Sequence, residues 1–220
     1  MSQHRAASLL VSLIVPPRCA ICGSGCGPRV EICDACATGL ASARPVHVPL
    51  PGLDAVWSAA PYEGAARELV AALKFRALLP LARVAAATIS SGAPPHLLHG
   101  VLVPVPPAPL RLRLRGLDPA EEIAVELARL TGLGIAHCLA RTHGPRQVGR
   151  ARRERIAAPP RVRLRQRPPA EAILIDDVAT TGATLGACAR TLREGGAKRV
   201  VALTLSRSLG RGLGESRGRA

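Results

Sequence analysis

Two adjacent carboxylates, Asp176 and Asp177, follow the apolar run Ile173-Leu174-Ile175 and lead through Val178 and Ala179 into Thr180-Thr181-Gly182-Ala183-Thr184. The threonine-rich part offers hydroxyls and backbone N–H groups at the start of a helix. There the first N–H groups lack intrahelical partners and the helix dipole favours an anion, so the stretch suits a phosphate. Its small side chains let that phosphate approach. The acids at the strand's end suit sugar hydroxyls, and their hard oxygens suit Mg²⁺. The alternative is a buried strand with an Asp-rich turn and a Thr cap, which leaves two successive carboxylates costly as mere structure.

A second group with chemistry lies near the start. Five of the seven cysteines fall between Cys19 and Cys36, as Cys19-Ala20-Ile21-Cys22, Cys26 and Cys33-Asp34-Ala35-Cys36. Two C-x-x-C pairs separated by ten residues can gather four thiolates on one ion. Cys19, Cys22, Cys33 and Cys36 are therefore expected to hold a structural Zn²⁺, with Cys26 able to replace one ligand. Four sulfur ligands close the site, which points to folding rather than catalysis. A metal-free, redox-active pair is the alternative.

The elements that must position these residues follow from pattern. Pro168-Pro169 precedes the strand carrying the acids; a helix is expected from about 184 to 193, stopped by Gly195-Gly196, and a second strand over 199–205. The phosphate loop thus lies in a β-α-β unit. Upstream, a proline-marked linker precedes an expected strand at 55–60, a helix at 64–75 with Leu69, Val70 and Leu73 on one face, and a helix from about 78 to 89. Residues 100–107 read as a buried strand with a rigid exit, 119–130 as a helix with proline in its first turn, and 139–141 as the start of another strand. Lys74, near a helix C-terminus, reads either as a phosphate ligand or as a surface residue offsetting the helix dipole. The stretch holding Arg113, Arg115 and Gly116 is either a cationic loop for pyrophosphate or an extended solvated segment. Residues 141–167 hold ten arginines against one acid, Glu154. Such a segment repels itself and is expected to be mobile until an anion arrives, as a lid or as a disordered basic arm. Residues 208–220, rich in Gly, Arg and Ser, are expected to fray.

Composition bounds the rest. A chain of 220 residues holds one α/β domain and a small appendage. It is 48% hydrophobic and 1% aromatic, so the core must be Ala, Leu, Val and Ile. The formal net charge of +15 suits polyanions, yet only Lys74 and Lys198 among 30 basic residues are lysine. That skew looks like the amino-acid bias of a GC-rich genome and discounts the charge as a functional choice. Trp57, Tyr62 and Phe75 are the only aromatics, too few for a platform that stacks single-stranded bases, whereas binding through phosphates alone stays open. Residues 6–15, apolar apart from Ser8 and Ser12, superficially resemble the apolar part of a signal peptide but run into Pro16-Pro17 with no small-residue cleavage site and are too short to cross a membrane. They are expected to form a short amphipathic helix packed on the domain, in a cytoplasmic protein.

The thirteen residues from Ile173 to Leu185 resemble the signature of type I phosphoribosyltransferases, in which the acidic pair contacts the ribose of phosphoribosyl pyrophosphate and the loop wraps its 5-phosphate. The order of motifs extends the likeness over nearly the whole chain: Pro16-Pro17-Arg18-Cys19 and the four cysteines, Tyr62-Glu63-Gly64, Leu73-Lys74-Phe75, Val103-Pro104-Val105-Pro106, Arg115-Gly116, Arg141-Thr142 with Gln147, then Asp176 to Leu185. This resembles the ComF family, competence-associated phosphoribosyltransferase-like proteins of bacteria. The resemblance implies a type I phosphoribosyltransferase fold, a mainly parallel sheet flanked by helices under a flexible hood, with an N-terminal zinc finger. The implied bounds are 1–44 for an N-terminal helix and zinc knuckle, 45–207 for the phosphoribosyltransferase domain and 208–220 for a basic tail. It implies phosphoribosyl transfer from the Mg²⁺ complex of phosphoribosyl pyrophosphate to a nitrogen acceptor. Asp176 and Asp177 would place the sugar and stabilise positive charge at the anomeric carbon; residues 178–184 and Lys74 would hold the substrate, and Arg113, Arg115, Arg141 and Arg155 the leaving pyrophosphate. The wider role implied is handling of single-stranded DNA or competence proteins, with a non-catalytic accessory protein as the alternative. The chain departs from the family where Arg-Gly-Phe-Asn-Gln-Ala is replaced by Arg115-Gly116-Leu117-Asp118-Pro119-Ala120, losing both amides, and where Ala158 stands in place of Asn three residues after Arg155.

Overall fold

The computed structural model describes residues 17–27, 31–76, 80–108, 116–142 and 160–208. The helix expected at 6–15, Arg113, Arg115 and Arg155, most of the expected lid, and residues 209–220 lie outside the described residues.

In chain order the elements are α1 (Asp34–Ala41), β1 (Val46–His47), β2 (Ala55–Pro61), α2 (Gly64–Arg76) and α3 (Pro80–Gly92). A 3₁₀ turn (Pro95–Leu97), β3 (Val101–Pro104), α4 (Pro119–Thr131), β4 (Leu139–Thr142) and β5 (Arg161–Leu164) follow. The chain then forms β6 (Glu171–Ala179), α5 (Ala183–Glu194) and β7 (Arg199–Arg207). Five strands make one sheet in the order β1-β2-β7-β6-β3, parallel except for the edge pair β1/β2, and β4 and β5 form a separate antiparallel pair.

Burial on both faces explains why β6 and β7 read as unbroken apolar runs. Alternate residues of β6 serve opposite layers: Ile173 and Ile175 pack with Trp57, α2, α3 and α4, whereas Ala172 and Leu174 pack with α5 and with Leu139, Val162 and Leu164 of the small sheet. The core is therefore two aliphatic layers around a sheet, with Trp57 as the single large aromatic, 1% exposed. Terminal signals held where they were strong. Asp118 caps α4, Pro119 occupies its first turn and Gly132 closes it at φ 74°.

Three expectations need correction. The acids do not end their strand: β6 runs on through them to Ala179, because β7 pairs with it as far as Arg207. Residues 161–164, placed by charge in a mobile lid, form a strand paired to β4 from Thr142↔Arg161 to Leu139↔Leu164. Val162 and Leu164 point inward while Arg161 and Arg163 point outward, so apolar burial every second residue holds a segment whose composition alone suggested self-repulsion. Ser208, assigned to a frayed tail, donates its backbone N–H to Ala179 O at 2.9 Å. Two short elements were also unforeseen: α1 inside the cysteine segment, and β1 in the proline-marked stretch.

Candidate functional site

The connections out of β3 and β6 set the place of the site. The helix after β3, α4, packs on one face of the sheet through Ile123, Ala124 and Leu127; the helix after β6, α5, packs on the other through Leu185, Cys188 and Leu192. Two neighbouring parallel strands whose helices leave to opposite sides open a crevice at their carboxyl ends. β3 is also the shorter strand: Pro104 pairs with Ile175, Val105 N–H still donates to Ile175 O at 3.0 Å, and beyond that no described residue pairs with β6 on this side. The next residues of β6 are Asp176 and Asp177.

A cavity of about 430 Å³ occupies the crevice. Asp176, Asp177, Val178, Thr180 and Thr184 line it from the β6–α5 side, Lys74 from α2, Arg141 from β4, and residues 105–108 and 117–120 from the β3–α4 connection. Of the expected site residues, these seven are thus brought together. Ala179 is buried in the strand, while Thr181, Gly182 and Ala183 shape the turn without lining the cavity. The left-handed φ of Gly182, 76°, makes the turn, and lacking a side chain it gives α5 no cap. Ala183 N–H donates to Thr181 Oγ1 at 3.3 Å. The N–H groups of Thr184 and Leu185 take no capping bond from Gly182, which leaves the helix start open to an anion.

The acids have distinct surroundings. Successive strand residues face opposite ways. Asp177 turns to the α2 layer, where its Oδ2 lies 2.8 Å from Lys74 Nζ. That oxygen is buried, and the ion pair with Lys74 offsets the cost of burying its charge. Helix α2 makes the pairing possible: it leaves the carboxyl end of β2, contacts β7 and brings Lys74 to β6. Lys74 therefore lies inside the site rather than on an outer surface. Asp176 accepts the backbone N–H of Asp177 at 2.8 Å, and burial, then the charge of Asp177, pushes its carboxyl well above the ordinary range. Protonating or pairing such an acid is favoured, and a sugar hydroxyl or a cation would relieve it.

Sequence reasoning missed three contributors. Asp118 lines the cavity, and burial, followed by the charges of Glu121 and Asp177, pushes its carboxyl up to about 7 against the opposing bond from Ala120 N–H. In the sequence it stood only as a departure from the family motif, and nothing there said that it would line a cavity with Asp177. Tyr62, 36% exposed just beyond β2, and Ser208 line the far wall. Arg207 at the end of β7 is 7% exposed, with Nε and Nη1 buried and unpartnered among the described residues. Burial lowers its pKa.

The cysteines form a second site. The sulfurs of Cys19, Cys22, Cys33 and Cys36 all lie within 4.8 Å of one another, and Cys22 and Cys33 are 3.7 Å apart. A tetrahedral ion with 2.3 Å bonds to sulfur needs edges of about 3.8 Å. The four-cysteine group can thus hold a metal ion and is compatible with zinc. Two thiols are already biased toward thiolate. The Ser24 hydroxyl and backbone lower Cys22 to about 6, while backbone N–H groups of Cys22, Cys33 and Ile21 outweigh burial at Cys19 and lower it too. Burial and the neighbouring thiols raise Cys36, the group a metal would have to deprotonate at greatest cost. Cys26 is not in the four-sulfur group.

No family model and no curated protein matches the chain. Among the described residues no helix is long and apolar enough to cross a membrane.

Proposed function

We propose that the chain binds phosphoribosyl pyrophosphate with Mg²⁺ over the tip of β6 and transfers the phosphoribosyl group to a nitrogen acceptor, in the manner of the ComF-like branch of type I phosphoribosyltransferases. The observation that carries this reading is the juxtaposition, in one crevice, of an uncapped helix start with the adjacent carboxylates of Asp176 and Asp177, the second paired with Lys74. Phosphate belongs at the first and ribose hydroxyls at the second.

The charges favour a substrate that carries its own cation. Asp176 and Asp177 offer hard oxygen donors on the cavity wall, to which a divalent cation carried by the substrate would be drawn. When bound, Mg²⁺ neutralises pyrophosphate and draws electrons toward the leaving oxygen. Thr180, Thr184 and the α5 N–H groups hold the 5-phosphate. Asp177, paired with Lys74, lies under the ribose and stabilises positive charge as the anomeric bond loosens, an interaction stronger in the transition state than in the ground state. Arg141 is placed to meet the departing pyrophosphate. Arg113, Arg115 and Arg155 lie outside the described residues and carry no part of this reading. At the cysteine site we assign Zn²⁺ in a folding role, since four protein ligands leave no open position.

The test is thermal unfolding with phosphoribosyl pyrophosphate and Mg²⁺. A ligand held only by the folded state at a hundred times its Kd stabilises by about 2.7 kcal/mol, on the order of 5–10 °C for a chain of this size. Mg²⁺ alone should give no comparable shift, and Asp176→Asn/Asp177→Asn should abolish it. An unchanged melting temperature in the wild type would sink the proposal.

One observation favours a second reading, a non-catalytic protein that grips single-stranded nucleic acid through its phosphates. Arg161 and Arg163 stand exposed on β5 opposite Thr142 and Ala140, with no carboxylate across the strand to pair with them. On that reading binding of a labelled oligonucleotide would fall steeply with salt and survive Asp176→Asn/Asp177→Asn.

A further inference from the structure

Asp118 is the carboxylate of the cavity that the phosphoribosyl reading leaves without a task. It is tied down at one oxygen: as the cap of α4 its Oδ1 accepts Ala120 N–H at 3.2 Å, and Pro119 contributes no N–H to compete. The residue lines the cavity whose other wall carries Thr180 and Thr184. The surroundings are acidic. From its own helix come Glu121 and Glu122, and Glu121 is engaged by His137 at 2.7 Å; from β6 come Asp176 and Asp177; among the described lining residues the cations are Lys74, paired with Asp177, and Arg141.

Once ionised, Asp118 repels a phosphate or carboxylate brought against it. The part of the substrate pair that can lie against it is neither the 5-phosphate nor the pyrophosphate but the incoming nucleophile, and only one that presents hydrogen-bond donors. We propose that Asp118 is the specificity-determining residue for the acceptor, selecting nitrogen nucleophiles that carry N–H groups and no acidic group of their own; this rests on the phosphoribosyl reading above. In the transfer the acceptor nitrogen's lone pair forms the bond to the anomeric carbon. The carbon–oxygen bond to pyrophosphate breaks with its electron pair on the leaving oxygen, and the acceptor's N–H proton passes to Asp118 Oδ2 and then to solvent. A carboxylate held up to about 7 by burial is well matched to take that proton near neutrality.

The experiment measures melting temperature in two steps at pH 8. The first adds Mg²⁺ and phosphoribosyl pyrophosphate; failure here, in wild type before any acceptor is present, overturns the phosphoribosyl reading and this one with it. The second adds to that complex either adenine, guanine or ammonium, which bear N–H donors without an acid, or orotate or nicotinate, which bear a carboxylate. Wild type should show a further shift with at least one of the first set and bind it about tenfold or more tightly than either acid, the scale of one hydrogen bond to a charged group. Asp118→Asn keeps the cap and removes the charge, and Asp118→Ser guards against a fault peculiar to Asn. In both, donor binding should weaken or acid binding appear. Equal binding of the two sets by wild type, binding of neither, or an unaltered preference in both variants would overturn the proposal.

Discussion

The ion pair between Lys74 and Asp177 joins two elements that share no sequence neighbourhood, and its energetics can be separated from its chemistry. Asp177 is buried while Lys74 keeps about a fifth of its side chain in solvent, 21%. Lys74→Met strands a buried carboxylate, and it should cost about 2 kcal/mol, below the usual penalty for a fully buried pair because solvent reaches the lysine. Lys74→Met/Asp177→Asn should recover most of that loss in urea unfolding, while neither variant responds to phosphoribosyl pyrophosphate. Equal losses in the single and double variants would show that the pair does not couple. Asp118 makes the complementary prediction about pH. Its carboxyl holds a proton in the folded state up to about 7, whereas the unfolded chain releases it near 3.8, the ordinary value for aspartate. Between those values the folded state binds more protons, so stability falls as pH rises through the window and is level above it. Asp176, raised by burial, pushes in the same direction. Asp118→Asn should therefore lose on the order of 2 kcal/mol less than wild type between pH 5 and pH 8, as measured by unfolding at both. At this scale the sequence was legible where residue types are local to one motif, as with Asp176, Asp177 and the threonines. It was silent where a residue's meaning comes from what the fold sets opposite it, as with Asp118, Tyr62 and Ser208.

Among the elements, α5 bears two glycines whose substitutions should have opposite signs. Gly182 sits at φ 76°, and a Cβ there would lie 2.5 Å from the Leu50 methyls. Alanine should cost about 1–2 kcal/mol in the left-handed conformation even if the leucine end moves aside, and by shifting the turn it should shrink the ligand-induced rise in melting temperature. Gly186 lies within the helix, where a Cβ would meet only Pro51 O at 3.6 Å, an ordinary contact. Gly186→Ala should stabilise by about 0.5–1 kcal/mol through reduced unfolded-state entropy and leave the turn untouched. A rise for Gly182→Ala, or a fall for Gly186→Ala, would contradict the reading of the turn. The long elements were legible from their periods and end signals, and most bounds fall within a residue or two of expectation. What failed was short or charge-masked. β1 has two residues, too few to show a period, and β5 hides Val162 and Leu164 among exposed arginines that dominate any average of composition.

At the level of the whole molecule, the cysteine segment shares its apolar packing with the rest. Cys19, Ile21, Cys36 and Leu40 lie in the same buried cluster as Leu69, Val70 and Leu73 of α2, Leu81 and Ile89 of α3, and Trp57 of β2. Helix α1 packs directly on α2, and the last turn of α2 carries Lys74 into the cavity wall. A metal that gathers the four thiols therefore supports one wall of a common core rather than a detached finger. Structural zinc contributes about 10–16 kcal/mol in small peptides, comparable with the whole stability of an ordinary domain. Stripping the metal with a strong chelator, or the change Cys19→Ser, should then lower a single cooperative transition by more than about 10 °C instead of removing a separate early one. The same treatment should weaken the response to phosphoribosyl pyrophosphate through α2 and Lys74. Asp176→Asn/Asp177→Asn, acting at the other end of that route, should leave the zinc content at one ion per chain. Two resolved transitions on chelation, with the larger unmoved, would mean that the shared cluster does not couple the two sites.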